Sequence, residues 1–330
     1  MGEFKVSNVG LGLAITTFLL MVFMVLFHYF VVNKNKKAHK IFHSYFYWMP
    51  IAAFCLIYFI IGRWSIKITE FFQSDISKSN LGYNLDTSSG IYKYSTLYSG
   101  AFLLDLCPAV AVVLPFSLII DKTRTLAKCI APYAIIGSVL SIFTTTLTQE
   151  VDSDVNMWVY IFFGQGDNQM FFMMHFMSLL LAIGVLLTSK NFTRYSVLGS
   201  FSFICLYIAY VKIFVDIKGV SYNTTGVSEF DWYDEKWGNY SEYYNVYAIL
   251  KLPFPALQIV SYFLAVFVQF LFQFIKNITT KDENKILSID TFWYVKYPFL
   301  NRYLYSYDKK INDFFYNIKT SIIQIIQKHK

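Results

Sequence analysis

Three residues of the types used in covalent catalysis fall within strongly apolar stretches of the sequence. Asp105 and Cys107 are two positions apart, and His175 follows in a later apolar stretch. A thiolate is a nucleophile, and a histidine on a neighbouring element is a common base for activating it. A carboxylate could orient that histidine or bind an ammonium group. We therefore predict Cys107, His175 and Asp105 as catalytic residues, provided that folding brings them together.

Three further charged residues lie near the ends of apolar stretches. Lys212 and Asp216 are spaced i, i+4, and Lys251 is followed by two nearby prolines. Ionisable side chains inside a membrane are costly unless they face a cavity or a partner. Because all six residues fall at a similar depth on the same predicted side, they indicate one shared polar pocket.

Each of these residues also has a purely structural interpretation. Cys107 alone would most often be a small buried hydrophobe, and His175 could bond a helix carbonyl. Lys212 and Asp216 could pair on their own helix, while Lys251 could mark the membrane interface. Asp105 is the hardest to explain structurally, because a deep carboxylate needs a cation or a proton.

Several reaction classes are disfavoured by missing motifs. The sequence has no G-x-S-x-G, H-E-x-x-H, P-loop or glycine-rich nucleotide motif. Its four cysteines show no paired spacing, so neither a disulfide framework nor a zinc site is expected. We predict no cofactor and no metal. The net charge of +7 fits basic loops of a membrane protein better than nucleic-acid binding.

The elements that must position these residues are membrane-spanning helices. The 330 residues are 56% hydrophobic and only 15% charged, with a mean hydropathy of +0.44. Continuous apolar runs of about 20 residues predict an all-α polytopic fold, and they lack the alternation of barrel strands. The seven predicted spans are Val9 to Val32, His43 to Gly62, Ser99 to Ile120, Leu126 to Leu147, Gln169 to Thr188, Tyr195 to Phe214 and Val246 to Ile275.

Basic residues are distributed unequally between the two sides of these spans. One side carries nineteen Lys or Arg residues, and the other carries six, including Arg63. Because cytoplasmic loops are enriched in Lys and Arg, we predict an outside N-terminus and a cytoplasmic C-terminus in the plasma membrane. The first span exceeds a signal-peptide core and is interpreted as an anchor. The predicted domains are a seven-helix domain, 1–276, and a basic tail, 277–330.

Two amphipathic segments flank the spans. Trp64 to Gln73 and, in the tail, Ile311 to Ile326 each place apolar residues on one helical face. Such helices can lie on a membrane surface, and basic ones favour anionic lipids. Docking against the bundle itself is an equally good interpretation of both segments.

Short motifs in five regions resemble those of the YwaF-like integral membrane proteins, in the same order over about residues 43–275. The family's L-H-L-C segment is matched by Leu103-Leu104-Asp105-Leu106-Cys107, before an apolar span and a short basic loop. The other matches are Thr144-Thr145-Thr146, Met174-His175-Phe176, Gly219-Val220-Ser221-Tyr222-Asn223 and Pro253-Phe254-Pro255.

The resemblance implies a relationship to a eukaryotic seven-helix acyltransferase that loads ether lysophospholipids through a cysteine. Cys107 would then accept the acyl chain, and His175 would face it. The family's histidine two residues before the cysteine is Asp105 here, so a mechanism using that base must move to His175 or be abandoned. Tyr222 and Asn223 join the ligand-binding candidates. The frequent use of Lys, Asn, Ile, Phe and Tyr is typical of an AT-rich bacterial genome, and the resemblance implies a mycoplasma-type member of the family.

Three functions remain open from the sequence. The first is a phospholipid acyltransferase with an outward-facing polar pocket, acting through Cys107 and His175. The second is a non-enzymatic transporter or binding component for a small solute, using Asp105, Lys212 and Asp216. The third is a structural subunit whose tail docks a cytoplasmic protein. The expected partners are therefore membrane phospholipids and a cytoplasmic protein, with no nucleic acid.

Overall fold

A computed structural model of the chain describes residues 7–74, 97–149, 151, 155–165, 169–189, 194–218 and 256–280, with five single positions in the tail. Seven helices of the described part are long and apolar enough to cross a membrane, which confirms the predicted number. They cover Asn8–Val32, Tyr45–Gln73, Leu97–Ile120, Thr125–Thr146, Phe171–Thr188, Tyr195–Phe214 and Ile259–Lys276.

Some of the described helices continue directly into π-helical turns, at His28–Val32, Ile60–Trp64 and Ile142–Thr146. The helices are α1 (Asn8–Phe27), α2 (Lys36–Phe42), α3 (Tyr45–Phe59), α4 (Ser65–Gln73), α5 (Leu106–Ile120), α6 (Thr125–Ser141), α7 (Met157–Phe163), α8 (Phe171–Thr188), α9 (Arg194–Lys218) and α10 (Ala256–Thr280).

Polar side chains define where several helices begin. The Ser7 hydroxyl accepts a hydrogen bond from the Gly10 amide at the start of α1. Asn35, Ser44 and Asn156 cap α2, α3 and α7 in the same way. Each cap satisfies an amide that has no partner within its own helix, and short polar residues are the preferred caps for that reason.

α8 lies at the centre of the bundle. In its most apolar window 72% of residues are buried, against 17% in α1. The core joins α6 and α8 through residues such as Ala131, Ile135, Leu179 and Ile183. The outer surface is also apolar, as expected for helices that face lipid tails. Its large exposed side chains include Phe18, Phe23, Phe46, Phe54, Ile61, Leu206, Phe263 and Phe267.

Buried polar side chains connect α6, α9 and α10. The Ser200 hydroxyl donates to the Cys129 carbonyl over 2.8 Å, and the Tyr133 hydroxyl donates to the Ser200 carbonyl over 3.0 Å. The Gln269 amide group donates to the Ser200 hydroxyl over 2.5 Å. Interhelical hydrogen bonds of this kind hold helices together where apolar surroundings offer no other partner.

A glycine allows α3 and α8 to pack closely. A Cβ atom at Gly184 would lie 2.0 Å from the indole of Trp48, so the ring occupies the space that a side chain would need. The Trp48 indole nitrogen also donates to the Phe42 carbonyl over 2.7 Å. The small residue therefore sets both the separation of the two helices and the orientation of the indole.

The third span is interrupted rather than continuous. It is helical at residues 97–102, breaks at Leu103 and resumes as α5 at Leu106. Leu103 has a φ of 54°, which is uncommon for a residue other than glycine. The sequence predicts one regular helix here, because the run is largely apolar.

Side chains from two other spans bond the carbonyl groups that the break releases. The Tyr207 hydroxyl donates to the Leu104 carbonyl, and the Tyr210 hydroxyl donates to the Phe102 carbonyl, each over 2.5 Å. The Trp64 indole donates to the Ala101 carbonyl over 2.9 Å. Irregular backbone at membrane depth is tolerated only where such partners exist or where it lines a cavity.

The segment predicted as interfacial, Trp64 to Gln73, continues directly from the second span. Phe71 is buried against Tyr98 and Phe102, with ring centroids 5.0 and 5.3 Å apart. Of the two interpretations, docking on the bundle is therefore the observed one. Of the tail segment Ile311 to Ile326, only single positions are described, so its placement stays a prediction.

The two ends of the bundle differ in composition. We call the end that carries residues 33–44 and 121–124 the basic end. The end that carries the break at Leu103 is called the opposite end. At the basic end, the Lys276 ammonium donates to the Ser189 carbonyl. At the opposite end, the Tyr58 hydroxyl donates to the Phe162 carbonyl over 2.6 Å.

The close approach at Gly184 predicts a large difference between two glycines. Gly184→Ala should destabilise the protein by about 1–3 kcal/mol, because the new methyl group overlaps the Trp48 ring. Gly12→Ala meets no atom within 4 Å and should be neutral or slightly stabilising. Thermal unfolding in detergent would measure both variants. Equal melting temperatures for the two would contradict the packing described here.

The Tyr207 hydrogen bond predicts that the break depends on α9. Tyr207→Phe should lower stability by about 1–3 kcal/mol, because the buried Leu104 carbonyl loses its donor. Tyr29→Phe is a matched control, since the described part of the chain offers no hydrogen-bond partner to the Tyr29 hydroxyl. The same thermal unfolding assay applies, and an unchanged Tyr207→Phe variant would show that another group bonds Leu104.

Candidate functional site

Asp105 lies at the end of the break, immediately before α5. Its backbone is extended, with φ −83° and ψ 142°, and its carboxylate does not cap the helix. The buried Ser99 hydroxyl donates to the carboxylate over 2.5 Å. The side chain is partly exposed. The carboxylate therefore bonds Ser99 and not the amides at the start of α5.

Cys107 follows in the first turn of α5 and faces α6. Its Sγ lies 3.9 Å from the Ser141 hydroxyl, and a Cβ atom at Gly137 would lie 2.9 Å from Sγ. The thiol also packs beside a small apolar cluster that contains Phe59 and Met174. Gly137 thus provides the space for the thiol, and Cys107 as a whole residue is partly exposed.

Arg63 is a member of the site that the sequence analysis missed. It lies in the π-helical turn after α3, and its guanidinium donates to the Gln169 carbonyl. It is attracted electrostatically to Asp105, to the Cys107 sulfur and to Glu70. From the sequence alone, Arg63 was considered only as one of the six basic residues on the predicted outer side. Its position directly after an apolar run and before Trp64 was the available signal.

His175 lies in the first turn of α8 and is only 3% exposed. Its Nδ1 is 2.7 Å from the Phe171 carbonyl, which can only accept, so Nδ1 carries the proton. In the neutral imidazole, Nε2 then presents a lone pair. No group in the described part of the chain hydrogen bonds to Nε2, although the atom is buried. His175 also interacts electrostatically with Arg63.

The site therefore joins three spans around one guanidinium. Arg63 interacts with Asp105 and Cys107 from the third span and with His175 from the fifth. The thiol has Ser141 as its recorded hydrogen-bond neighbour, and no hydrogen bond between Cys107 and His175 is seen among the described residues. The described residues contain no group of three His, Cys, Asp or Glu side chains that could hold a metal ion. The Arg63 guanidinium offers N–H donors to a polar ligand, and the lone pair on His175 Nε2 can accept a hydrogen bond from it.

Of the other predicted site residues, Lys212 is the one whose side chain the structure describes. Lys212 lies in α9, partly buried, near the end that packs on the break through Phe214 and Phe102. Asp216 belongs to α9, but its side chain is not described. Tyr222, Asn223 and Lys251 lie outside the described residues.

A small cavity adjoins the apolar side of Cys107. Its volume is about 10 Å³, close to the space of one water molecule. It shares Phe59, Ala111 and Met174 with the cluster that packs against the thiol. The cavity is too small for an acyl chain, so a long substrate would have to approach Cys107 along the partly exposed surface or after side chains move.

Comparison with known proteins connects the chain to mycoplasma sequences. It is 30% identical over 204 residues to the uncharacterized protein MG135 of Mycoplasma genitalium, which covers 61% of this chain and 69% of that protein. It is also 30% identical over 210 residues to the MG135 homolog of Mycoplasma pneumoniae, covering 63% and 69%. No solved structure matches. A family model described as a family of unknown function, DUF5378, matches residues 14–321, and the chain belongs to that family.

Proposed function

We propose that this protein is a multi-pass membrane protein that binds the polar part of a lipid or a small solute between Arg63, Asp105 and His175. The observation that carries the proposal is the buried Nε2 of His175, which no described residue bonds. A buried polar atom without a partner is costly, and a ligand group would remove that cost. The nearby guanidinium and carboxylate would add charge recognition.

The chemistry of the three side chains limits the ligand. Nε2 of a neutral His175 accepts a hydrogen bond, so it favours a hydroxyl or ammonium donor. The Arg63 guanidinium favours an anionic oxygen, and Asp105 favours a cation or a donor. The best match is a molecule that carries both an anionic group and an ammonium or hydroxyl group. Phospholipid headgroups and zwitterionic solutes share that chemistry.

The proposal includes an orientation in the plasma membrane. The apolar exterior of the bundle supports insertion in lipid, and the excess of Lys and Arg at the basic end supports a cytoplasmic location for that end. The Arg63 site would then lie near the outer surface. The basic tail, 277–330, would remain in the cytoplasm, where we propose that it can dock a partner protein.

Acyl transfer through Cys107 is the second candidate function. It is favoured by the Cys107 thiol, on which the Arg63 charge acts, and by the lone pair on His175 Nε2, which would take the thiol proton if substrate binding brings the two together. The thiolate would attack an acyl ester, the alcohol would leave with that proton, and a lysophospholipid hydroxyl would then attack the thioester. The YwaF-like motifs around Cys107 and His175 agree with this chemistry.

Arg63→Gln should reduce bound phospholipid at least tenfold, because the anionic oxygen loses its guanidinium partner. Native mass spectrometry of the full chain, purified in mild detergent with added phosphatidylethanolamine, would measure the bound fraction. Lys67→Gln is the control, since it removes a cation that pairs with Glu70 on the same helical run. The binding proposal is wrong if the Arg63→Gln variant binds as much phospholipid as the wild-type protein and the Lys67→Gln control do.

Cys107→Ala should abolish a hydroxylamine-sensitive acyl adduct, which the wild-type protein would form when incubated with a phospholipid donor. Cys205→Ala should retain the adduct, because Cys205 is an exposed thiol on α9 away from Arg63. Intact-protein mass spectrometry reads the acyl mass directly. An adduct that persists in Cys107→Ala, or a wild-type protein that forms none, would remove acyl transfer and leave the binding function untouched.

A further inference from the structure

A second polar cluster lies at the basic end of the bundle, away from Arg63. It combines His28, Lys128 and Lys276 from three spans with His43 and Arg124 from the turns that precede two spans. The exposed fractions of Arg124, Lys128, Lys276 and His28 are only 7, 5, 9 and 6%. Such residues are seldom buried unless a partner balances their charge. We call this group the basic cluster.

Arg124 is fixed at the centre of the basic cluster. Its guanidinium donates to the Thr188 hydroxyl over 2.8 Å and to the His43 carbonyl over 2.9 Å. Its backbone is left-handed, with a φ of 59°. The Nε atom is buried and has no hydrogen-bond partner among the described residues. Two hydrogen bonds therefore hold the guanidinium in place, and its buried Nε–H is available to an acceptor.

Two histidine nitrogens in the same cluster are in a similar situation. Nε2 of His28 and Nε2 of His43 are buried and bond to no group in the part of the chain that the structure describes. The two rings lie 6.0 Å apart, and His39 stacks on His43 at 3.9 Å. Three buried nitrogen atoms from different elements thus have no hydrogen-bond partner among the described residues at one end of the bundle.

The charges of the basic cluster repel one another. Lys276 interacts unfavourably with Lys128 and Arg124. Burial lowers the pKa of His43 to about 3, and the neighbouring His39, His28, Arg124 and Lys276 contribute to the shift. His43 is consequently neutral near pH 7, and the remaining positive charge belongs to Arg124, Lys128 and Lys276.

One carboxylate acts on Arg124, but its oxygens are already engaged. Asp121 accepts hydrogen bonds from the Thr123 amide over 2.8 Å and from the Leu126 amide over 2.9 Å. It thereby caps the start of α6. Three cations, Arg124, Lys128 and Lys276, are thus buried near one another, and Asp121 is engaged by Thr123 and Leu126. Burying like charges together is costly, and an anion beside them would lower that cost.

We propose that the basic cluster binds a phosphate-bearing anion. Arg124 presents a planar guanidinium that suits phosphate oxygens, and Lys276 and Lys128 contribute point charges. The Nε atom of Arg124 donates to the anion, and a phosphate hydroxyl donates to a histidine Nε2 atom. The phosphate belongs either to a lipid headgroup at the basic end or to a free phosphate ion.

The experiment measures stabilisation of the full-length protein in lipid-free detergent by two probes. One probe is inorganic phosphate, compared with chloride at equal ionic strength. The other is phosphatidylglycerol, compared with diacylglycerol, which lacks the phosphate. We expect one of the two phosphate probes to raise the melting temperature in a saturable manner. Phosphate alone would identify a free anion, and phosphatidylglycerol alone would identify a lipid headgroup.

Variants connect the effect to the basic cluster. Arg124→Gln and, separately, Lys276→Gln should weaken the apparent affinity at least tenfold. Lys40→Gln removes an exposed cation at the same end and should leave the affinity unchanged. The proposal is overturned if neither probe stabilises the wild-type protein, or if Lys276→Gln and Lys40→Gln bind the probe equally well. The comparison of probes on the wild-type chain remains decisive even if Arg124→Gln does not fold.

Discussion

The need to bond backbone polar groups in apolar surroundings governs this structure most strongly. The third span breaks within its apolar run, and its released carbonyl groups must find donors inside the protein. Three side chains from the second and sixth spans supply them, which fixes those spans against the break. Trp64 donates to the Ala101 carbonyl, Tyr210 donates to the Phe102 carbonyl, and Tyr207 donates to the Leu104 carbonyl. The same break presents Asp105 and Cys107 beside Arg63, so the candidate site depends on it.

Polar chemistry is concentrated at the two ends of a largely apolar bundle. At the opposite end, the Arg63 charge acts on a carboxylate, a thiol and an imidazole, a mixed arrangement suited to a ligand with charges of both signs. At the basic end, Arg124 and Lys276 are buried cations that repel each other, which suits an anion. Smaller hydrogen-bonded groups connect neighbouring helices, such as Ser200 of α9 with Gln269 of α10. The two ends therefore differ in the ligands that they favour.

Hydropathy was sufficient to predict the seven apolar helices, because the length of an apolar run is a local property of the sequence. The break at Leu103 was not predictable in this way, since its donors, Tyr207 and Tyr210, are more than one hundred residues away. Asp105, Cys107 and His175 were identified by their polarity in apolar runs. Arg63 was missed because it lies at the end of a run, where a charge is ordinary. Helix packing decides which distant residues come together, and the spacing of residues in a single sequence does not reveal that packing.

The central claim is that the space beside Arg63 and His175 receives a polar ligand group. An experimental density map of the protein in lipid nanodiscs tests it most directly. The account predicts ordered non-protein density within hydrogen-bond distance of His175 Nε2, extending toward the Arg63 guanidinium. A map in which a side chain of the protein bonds Nε2, with no space for a further group next to Arg63, would contradict it.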